Sequence, residues 1–298
     1  MKILLTGTAG QVGGALLPLL HGRADIVAPT REEFDFSRPG ELASKLDMIK
    51  PDLIINPAAY TAVDRAEDER ELAFRINAES PRAIARWAAP RGVPLVHFST
   101  DYVFDGFGDR PWREDSTPGP LSVYGQSKLA GDQAIAEAGA LYVIARTSWV
   151  YAATGTNFLK TIVRLAGERE QLRIVADQIG APTTANAISQ SVVAMLPTNG
   201  DDLRKTFERR GGVVNLVCTG ETSWHGFATA IVSGLQARGA KFAVKEIIPI
   251  PSDQFPVKAK RPFNSRLDLT RLRERFGITP PSWQQALDRE LDALKATI

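Results

Sequence analysis

The 298-residue chain is poor in the residues that build disulfide frameworks and metal clusters: it has one cysteine, Cys218, and three histidines. A lone cysteine excludes an intrachain disulfide and fits a reducing compartment. Cys218 closes the largely apolar run from Val213, where packing is its ordinary role. The histidines, His21, His97 and His225, are scattered and show no metal-ligand spacing. His97, inside a strand-like run, reads as a satisfied core histidine. Neither sign of charge dominates, with 36 basic against 34 acidic residues. The chain therefore has no electrostatic footprint for nucleic acid or an anionic membrane. No apolar stretch approaches the ~20 residues of a membrane span, and no signal-peptide pattern opens the chain. These absences point to a cytoplasmic protein with neither nucleic-acid nor membrane partners. At 44% hydrophobic, the chain can bury the core of one large or two modest domains.

What is present begins at once. Ile3-Leu4-Leu5 is a short apolar run suited to a buried parallel strand. It leads into Gly7-x-x-Gly10-x-x-Gly13 and then a helix-like stretch, Gly14 to Leu20. Glycines permit a tight turn and close backbone approach, while the helix N-terminus offers free N–H groups to an anion. Gly7, Gly10, Gln11, Val12 and Gly13 are therefore the candidates to hold a dinucleotide pyrophosphate. A glycine-rich turn without a ligand is the plainer reading, and the position directly after a strand argues against it.

Further along stand Tyr124-Gly125-Gln126-Ser127-Lys128 and, upstream, Ser99-Thr100-Asp101. Residues four apart share a helix face, so Tyr124 and Lys128 project together. An ammonium near a phenol favours the phenolate, lowering a pKa that is ordinarily ~10. Tyr124 then becomes usable as a proton donor and acceptor. Taken alone, the pair could be a surface aromatic and a solvated charge.

The first half alternates apolar runs with helix-patterned segments. Candidate strands are 3–6, 26–29, 53–56, 95–99 and 142–146, and candidate helices are 14–20, 39–50, 71–89 and 124–138. Such alternation argues for a parallel sheet with helices on both faces. Ligands in these sheets bind beyond the carboxyl ends of the strands. Gly7, Ala58-Ala59, Ser99-Thr100 and the segment 147–149 all follow candidate strands, so four segments converge on one crevice edge. The second half is less regular. Residues 158–166 and 185–196 read as helices and 213–217 as a strand. Residues 197–212 look like a surface excursion, and the proline-rich tail 249–281 like irregular loops. The expected architecture is α/β: a Rossmann-type, doubly wound parallel sheet with a smaller C-terminal substrate-binding lobe. The dinucleotide-binding domain spans 1–150, with segments near 174–218 returning to it, and 151–298 forms mainly the lobe.

At the second strand, NAD sites usually place Asp or Glu for the ribose 2′-hydroxyl. Here the strand ends at Thr30-Arg31, and a guanidinium fork suits a 2′-phosphate, favouring NADPH with NADH possible. Arg31 could instead pair with Glu32 or Glu33.

The segments TGTAGQVG, NPAAYTAVDRAE, FSTDYVFDG, PLSVYGQSKLAGD, RTSWVY and RPFNSRLD together resemble the extended short-chain dehydrogenase/reductases, and within them the dTDP-4-dehydrorhamnose reductase group. They run from residue 1 to about residue 268. The resemblance implies reduction of the 4-keto group of dTDP-4-dehydro-L-rhamnose to dTDP-L-rhamnose, a step of cell-surface polysaccharide synthesis. Hydride arriving at a carbonyl carbon builds charge on its oxygen, which a nearby acidic hydroxyl must neutralise. By resemblance, Tyr124 gives that proton, Lys128 lowers its pKa and binds the nicotinamide ribose, and Thr100 orients the carbonyl. Asp101 contacts the sugar. Asp35-Phe36 matches an adenine-contacting pair, Ala58-Ala59-Tyr60 a loop beside the dinucleotide, and Asn77 a residue supporting the crevice. On the substrate side, the indole of Trp149 packs the sugar and Arg261 clamps the diphosphate; Ser265 and Arg266 either join it or fix their loop.

Two departures bear on assembly. Some family members hold magnesium between subunits through glutamates, whereas this chain has Ala15 and Asn186 near those places. The expectation is no bound metal and a monomer or weak homodimer. Asp132 also replaces the Glu that ends the helix motif. Two other readings stay open: a related nucleotide-sugar reductase or epimerase, and a non-catalytic dinucleotide-binding regulatory subunit. Asp101-Tyr102 after Thr100 argues against a dehydratase, which carries an acidic pair there.

Overall fold

A computed structural model describes residues 1–197 and 203–295. Six parallel strands form the central sheet: β1 (Lys2–Leu5), β2 (Asp25–Val27), β3 (Leu53–Asn56), β4 (Leu95–Thr100), β5 (Tyr142–Thr147) and β6 (Gly212–Asn215). Their order is β6-β5-β4-β3-β1-β2. β3, β4 and nearly all of β5 are buried on both faces, which is why their sequences run apolar rather than alternating. The chain leaves β1 towards β2 and returns on its other side to β3. The crevice between β1 and β3 is therefore a switch point where ligands of such sheets bind.

Each face of the sheet buries its own apolar layer. Leu16 and Leu20 of the Gln11–Leu20 helix and Ile188 and Val192 of the Ala185–Met195 helix cover one face. Leu42, Leu46, Ile84 and Ile135 cover the other. A fully buried Leu or Ile contributes roughly 1.5–3 kcal/mol, so these layers dominate the stability of the sheet. A third cluster lies outside it. There Leu159, Phe227, Ile231, Trp283 and Leu291 pack around helices Phe158–Glu168, Trp224–Ala237 and Trp283–Lys295. Beside this cluster, strand Glu246–Ile250 pairs in parallel with Gln171–Val175.

The alternation read from the first half matches the five strands and four helical regions there, within one to three residues at most ends. The expected helix over 71–89 is interrupted by a π-turn at Arg75–Glu79, a feature frequent beside functional sites. Two expectations for the second half are corrected. Within 197–212, residues Leu203–Arg210 form a helix whose Leu203 and Phe207 are buried against the sheet; residues 198–202 lie outside the described residues. The tail expected to be irregular contains the end of a strand at Glu246–Ile250 and a helix at Thr270–Phe276. In both cases an apolar pair, Leu203 with Phe207 and Leu269 with Leu272, anchors a short helix inside a strongly charged segment. Among the described residues no helix is long and apolar enough to cross a membrane.

Candidate active site

The glycine turn is shaped by close approach. Gly7 takes φ +60, and a Cβ there would lie 2.9 Å from the backbone nitrogen of Ala58. A Cβ on Gly13 would lie 2.2 Å from the carbonyl of Gly7, so the helix start can fold back onto the turn only as glycine. Gly10 is the N-cap of Gln11–Leu20, with no side-chain cap and no acidic residue in the first turn. This leaves the helix start open to an anion. Gln11 and Val12 begin that helix, and Asn157 Nδ2 donates to Gln11 Oε1 at 2.9 Å, tying the second lobe to the turn. Ala58 and Ala59 follow β3 across the crevice. Tyr60 donates its backbone N–H to Asn77 Oδ1 at 2.8 Å and its hydroxyl to Glu69 at 2.7 Å. Asn77 Nδ2 reaches Tyr60 O and Ser127 Oγ, both at 3.0 Å. It therefore fastens this loop to the Val123–Glu137 helix. These groups fit a dinucleotide: a Cβ would fill the cradle, and the open helix end supplies donors.

Beyond β2, Arg31 is exposed. Glu33, one of its two expected surface partners, accepts the Thr30 N–H at 2.8 Å. Asp35 accepts from Ser37 N–H and hydroxyl, each at 2.8 Å, and these bonds, with charges including Arg31, hold its carboxyl below its ordinary pKa. Phe36 is buried against Phe34, ring centroids 5.8 Å apart.

At the end of β4 the hydroxyls gather. Thr100 Oγ1 donates to Asp101 Oδ1 at 3.0 Å and accepts the Tyr102 N–H at 3.2 Å. Tyr124 opens the helix capped by Ser122, and its ring meets that of Tyr102 edge-on at 5.5 Å. Gly125 is needed because a Cβ there would lie 2.2 Å from the carbonyl of Tyr102. Burial raises the pKa of the Tyr124 phenol, and a hydrogen bond to Thr100 opposes that rise. The lowering expected from Lys128 is thus not what the structure shows. Lys128 Nζ lies 3.2 Å from His97 Nε2, and burial pulls its own pKa down to about 8 while Asp132 opposes. Asp101 is pushed up to about 6 by burial, with the neighbouring hydroxyls of Ser265 and Thr100 leaning the other way. Its Oδ2 has no hydrogen-bond partner among the described residues.

Arg261 reaches this cluster from the second half. Its guanidinium sits 6.0 Å from the Tyr102 ring centroid and pairs with Asp64 Oδ2 at 2.5 Å, while Nη1 is buried without a partner among the described residues. Trp149 stands further off. Its φ is +49, and its ring stacks on Trp224 with centroids 3.6 Å apart. The structure thus gathers Thr100, Asp101, Tyr124 and Arg261 and sets the Nζ of Lys128 against His97 of β4. Trp149 belongs to an aromatic stack of the second lobe, and Arg31, Asp35 and Phe36 lie beyond β2. Ser265 and Arg266 lie in a loop fixed by Ser265 N–H on Ile179 O at 2.7 Å and Arg266 on Asn264 at 2.9 Å. Sequence reasoning missed Asp64 and Trp224, which make long-range contacts with no local pattern. Among the described residues no group of three His, Cys, Asp or Glu gathers to hold a metal.

A glycine turn at a parallel-sheet switch point, a Thr–Tyr hydroxyl pair and a lysine one turn on are the parts of an extended short-chain dehydrogenase/reductase. The family described as RmlD substrate binding domain matches residues 1–296, and the chain belongs to it. It is 45% identical over 289 residues to the dTDP-4-dehydrorhamnose reductase of Burkholderia thailandensis, covering 96% of this chain and 97% of that one. It is 42% identical to the enzyme of the same name from Escherichia coli, over 100% of this chain and 99% of the relative. A solved Bacillus anthracis dTDP-4-dehydrorhamnose reductase in complex with NADP superposes with TM-score 0.87 at 35% identity, covering 98% and 99% of the two chains.

Proposed function

We propose that the chain reduces the 4-keto group of dTDP-4-dehydro-L-rhamnose to give dTDP-L-rhamnose, serving rhamnose-containing cell-surface polysaccharides. NADPH, held on the glycine turn, supplies the hydride. Gly7, Gly10, Gln11, Val12 and Gly13 face its pyrophosphate, Ala58, Ala59 and Tyr60 line its other side, and Arg31 with Asp35 and Phe36 meets the adenosine end. As hydride reaches the carbonyl carbon, the Tyr124 O–H bond breaks and its proton passes to the carbonyl oxygen. Thr100, beside Tyr124 at the end of β4, orients that oxygen. The observation that carries this reading is the meeting of Thr100 and the half-buried Tyr124 at the end of β4, where both contact Tyr102. Burial keeps Tyr124 a neutral phenol at physiological pH, the form required of a proton donor in the direction of reduction. Lys128 supplies positive charge and binds the ribose. Asp101, Trp149 and Arg261 hold the nucleotide sugar, with Arg261 suited to its diphosphate.

In this reading residues 1–150, with segments near 174–218 returning to them, form the dinucleotide-binding domain, and 151–298 otherwise forms mainly the substrate lobe. With Ala15 and Asn186 in place of carboxylates, the protein works without magnesium as a monomer or weak homodimer, which sedimentation would measure. Its single buried cysteine fits the cytoplasm.

The test follows loss of reduced-nicotinamide absorbance with dTDP-4-dehydrorhamnose, comparing NADPH with NADH and wild type with Tyr124→Phe. Turnover that falls by roughly a hundredfold or more in the variant, with NADPH binding retained, is expected for a lost proton donor. A wild type that binds NADPH yet leaves it unoxidised would direct the search to other 4-keto nucleotide sugars or to a regulatory subunit.

A further inference from the structure

A row of buried polar side chains crosses the sheet just above one of its apolar layers. On the face covered by the Val123–Glu137 helix, Leu4, Ile54, Leu95 and Ile144 form that layer. Two residues further on from the first three stand Thr6, Asn56 and His97, all buried. Register sets Asn56 beside His97, and Thr6 N–H bonds to Ile55 O at 3.1 Å. The side chains connect in series: Thr6 Oγ1 to Asn56 Oδ1 at 2.6 Å, Asn56 Nδ2 to His97 Nδ1 at 3.1 Å, and His97 Nε2 to Lys128 Nζ at 3.2 Å. Apolar residues would cover this part of the sheet without the desolvation that polar groups suffer. The chain ends on the lysine of the site, and nothing in the proton transfer from Tyr124 uses it.

The donors and acceptors constrain one another. A neutral imidazole has one N–H and one lone pair, and burial together with the charge of Lys128 holds His97 well below its ordinary pKa. With Lys128 as an ammonium, Nε2 must accept. Nδ1 then carries the proton, and the Asn56 amide turns its oxygen towards it. With Lys128 as a neutral amine, Nε2–H donates to it, Nδ1 accepts from Asn56 Nδ2, and the Thr6 hydroxyl donates to Asn56 Oδ1. Two self-consistent polarities exist, and the second is open only to the neutral amine. The other charged groups at the pair are Asp132, on the lysine's own helix, and Arg146 of β5, which pair with each other at 3.4 Å.

We propose that His97 is a positioning residue for Lys128: it holds Nζ against β4, and its tautomer follows the lysine's charge. The proposal deepens the reductase reading and rests on it only for the effect on turnover; the contact itself needs no substrate. The first test is two-bond ¹H–¹⁵N NMR of the full chain with ¹⁵N-histidine, titrated from mildly acidic to alkaline pH. Three histidines keep the assignment simple. The expected result is a neutral His97 throughout, protonated on Nδ1 at low pH and on Nε2 once Lys128 loses its proton, with no such change in Lys128→Met. A single tautomer across the range, an imidazole that gains charge near its ordinary pKa, or an unaltered change in Lys128→Met would overturn the proposal.

Turnover supplies the second test. In His97→Gln the amide stands where Nε2 was, whereas His97→Asn reaches only the Nδ1 side. Gln is expected to stay within about threefold of wild type. Asn is expected to lose roughly tenfold or more in kcat and to shift the pH profile, with KM nearly unchanged. Equal losses in both, with the wild-type pH profile, would reduce His97 to packing. If wild type itself does not turn over the nucleotide sugar, the reductase reading fails while the NMR titration still decides the role of His97.

Discussion

The floor of the cleft and its rim use the same residue types under opposite physics. On the floor Lys128, Asp132 and Arg146 are 2%, 3% and 4% exposed, and every charge there has been taken out of water. On the rim Asp64 pairs with Arg261, and Asp68 with Lys258, all on side chains that reach solvent. Desolvation makes a buried charge expensive unless its partner stays, whereas water and salt screen the rim pairs. Charge on the floor therefore fixes geometry, and charge on the rim joins the 255–262 loop to the 63–69 segment.

Removing one member of the floor pair breaks the comparison most severely. Asp132 accepts the Ser99 hydroxyl at 2.8 Å and Arg146 Nε at 3.4 Å. Asp132→Ala leaves a buried guanidinium uncompensated, for which about 3–5 kcal/mol of lost stability is expected, read by urea denaturation. Asp132→Ala combined with Arg146→Met should recover much of it, since the uncompensated charge is then gone as well. A single variant as stable as wild type would show that the floor tolerates an unpaired charge.

Asp101 sharpens the contrast from the other direction, because its burial is a cost that the site retains. Pushed up to about 6 from an ordinary 3.8, the folded carboxyl binds its proton more tightly than the unfolded one. Stability therefore falls as pH rises from about 4 to about 6, and the loss is complete above that. Asp101→Asn removes this dependence. It should be more stable than wild type by on the order of 3 kcal/mol at pH 7.5, with little difference near pH 4, while its turnover falls. Denaturation midpoints at the two pH values measure it, and a constant gap between the proteins would refute desolvation of the carboxylate as the cause.

At the rim, Asp64→Ala frees Arg261 and the Ala259 N–H, which bonds to Asp64 Oδ1 at 3.0 Å. A partly exposed pair is worth about 0–1 kcal/mol, so the melting temperature should barely move. The KM for the nucleotide sugar should change more than kcat, since the guanidinium loses the carboxylate that now orients it. A loss of stability as large as that of Asp132→Ala would erase the distinction between floor and rim.

Legibility in the sequence follows the same division. The glycine turn, β4 and the Tyr124–Lys128 helix were readable because each is a contiguous pattern tied to its neighbours by backbone geometry. The Leu203–Arg210 helix was hidden because only Leu203 and Phe207 are buried, too few to mark a period in a charged segment. Asp64 and Trp224 act on residues 197 and 75 positions away in sequence, which local pattern cannot express. His97 was legible as a core residue, but its partners Asn56 and Lys128 come from another strand and a helix. The lowering of the Tyr124 pKa failed as an expectation because helix spacing predicts a shared face and says nothing about depth. Desolvation raises the phenol, and the lysine's Nζ is turned away to His97.

The smallest effect expected is at Arg31, beyond β2 at the edge of the sheet. It is exposed, so its removal should leave stability within about 0.5 kcal/mol of wild type. A guanidinium facing a 2′-phosphate forms charge-assisted bonds worth about 1.5–3 kcal/mol. Arg31→Ala should therefore raise the KM for NADPH by roughly tenfold or more while leaving that for NADH, which lacks the phosphate, almost unchanged. Paired initial-rate measurements with the two cofactors read this directly. Equal changes for both would place the phosphate elsewhere and return Arg31 to the solvated surface.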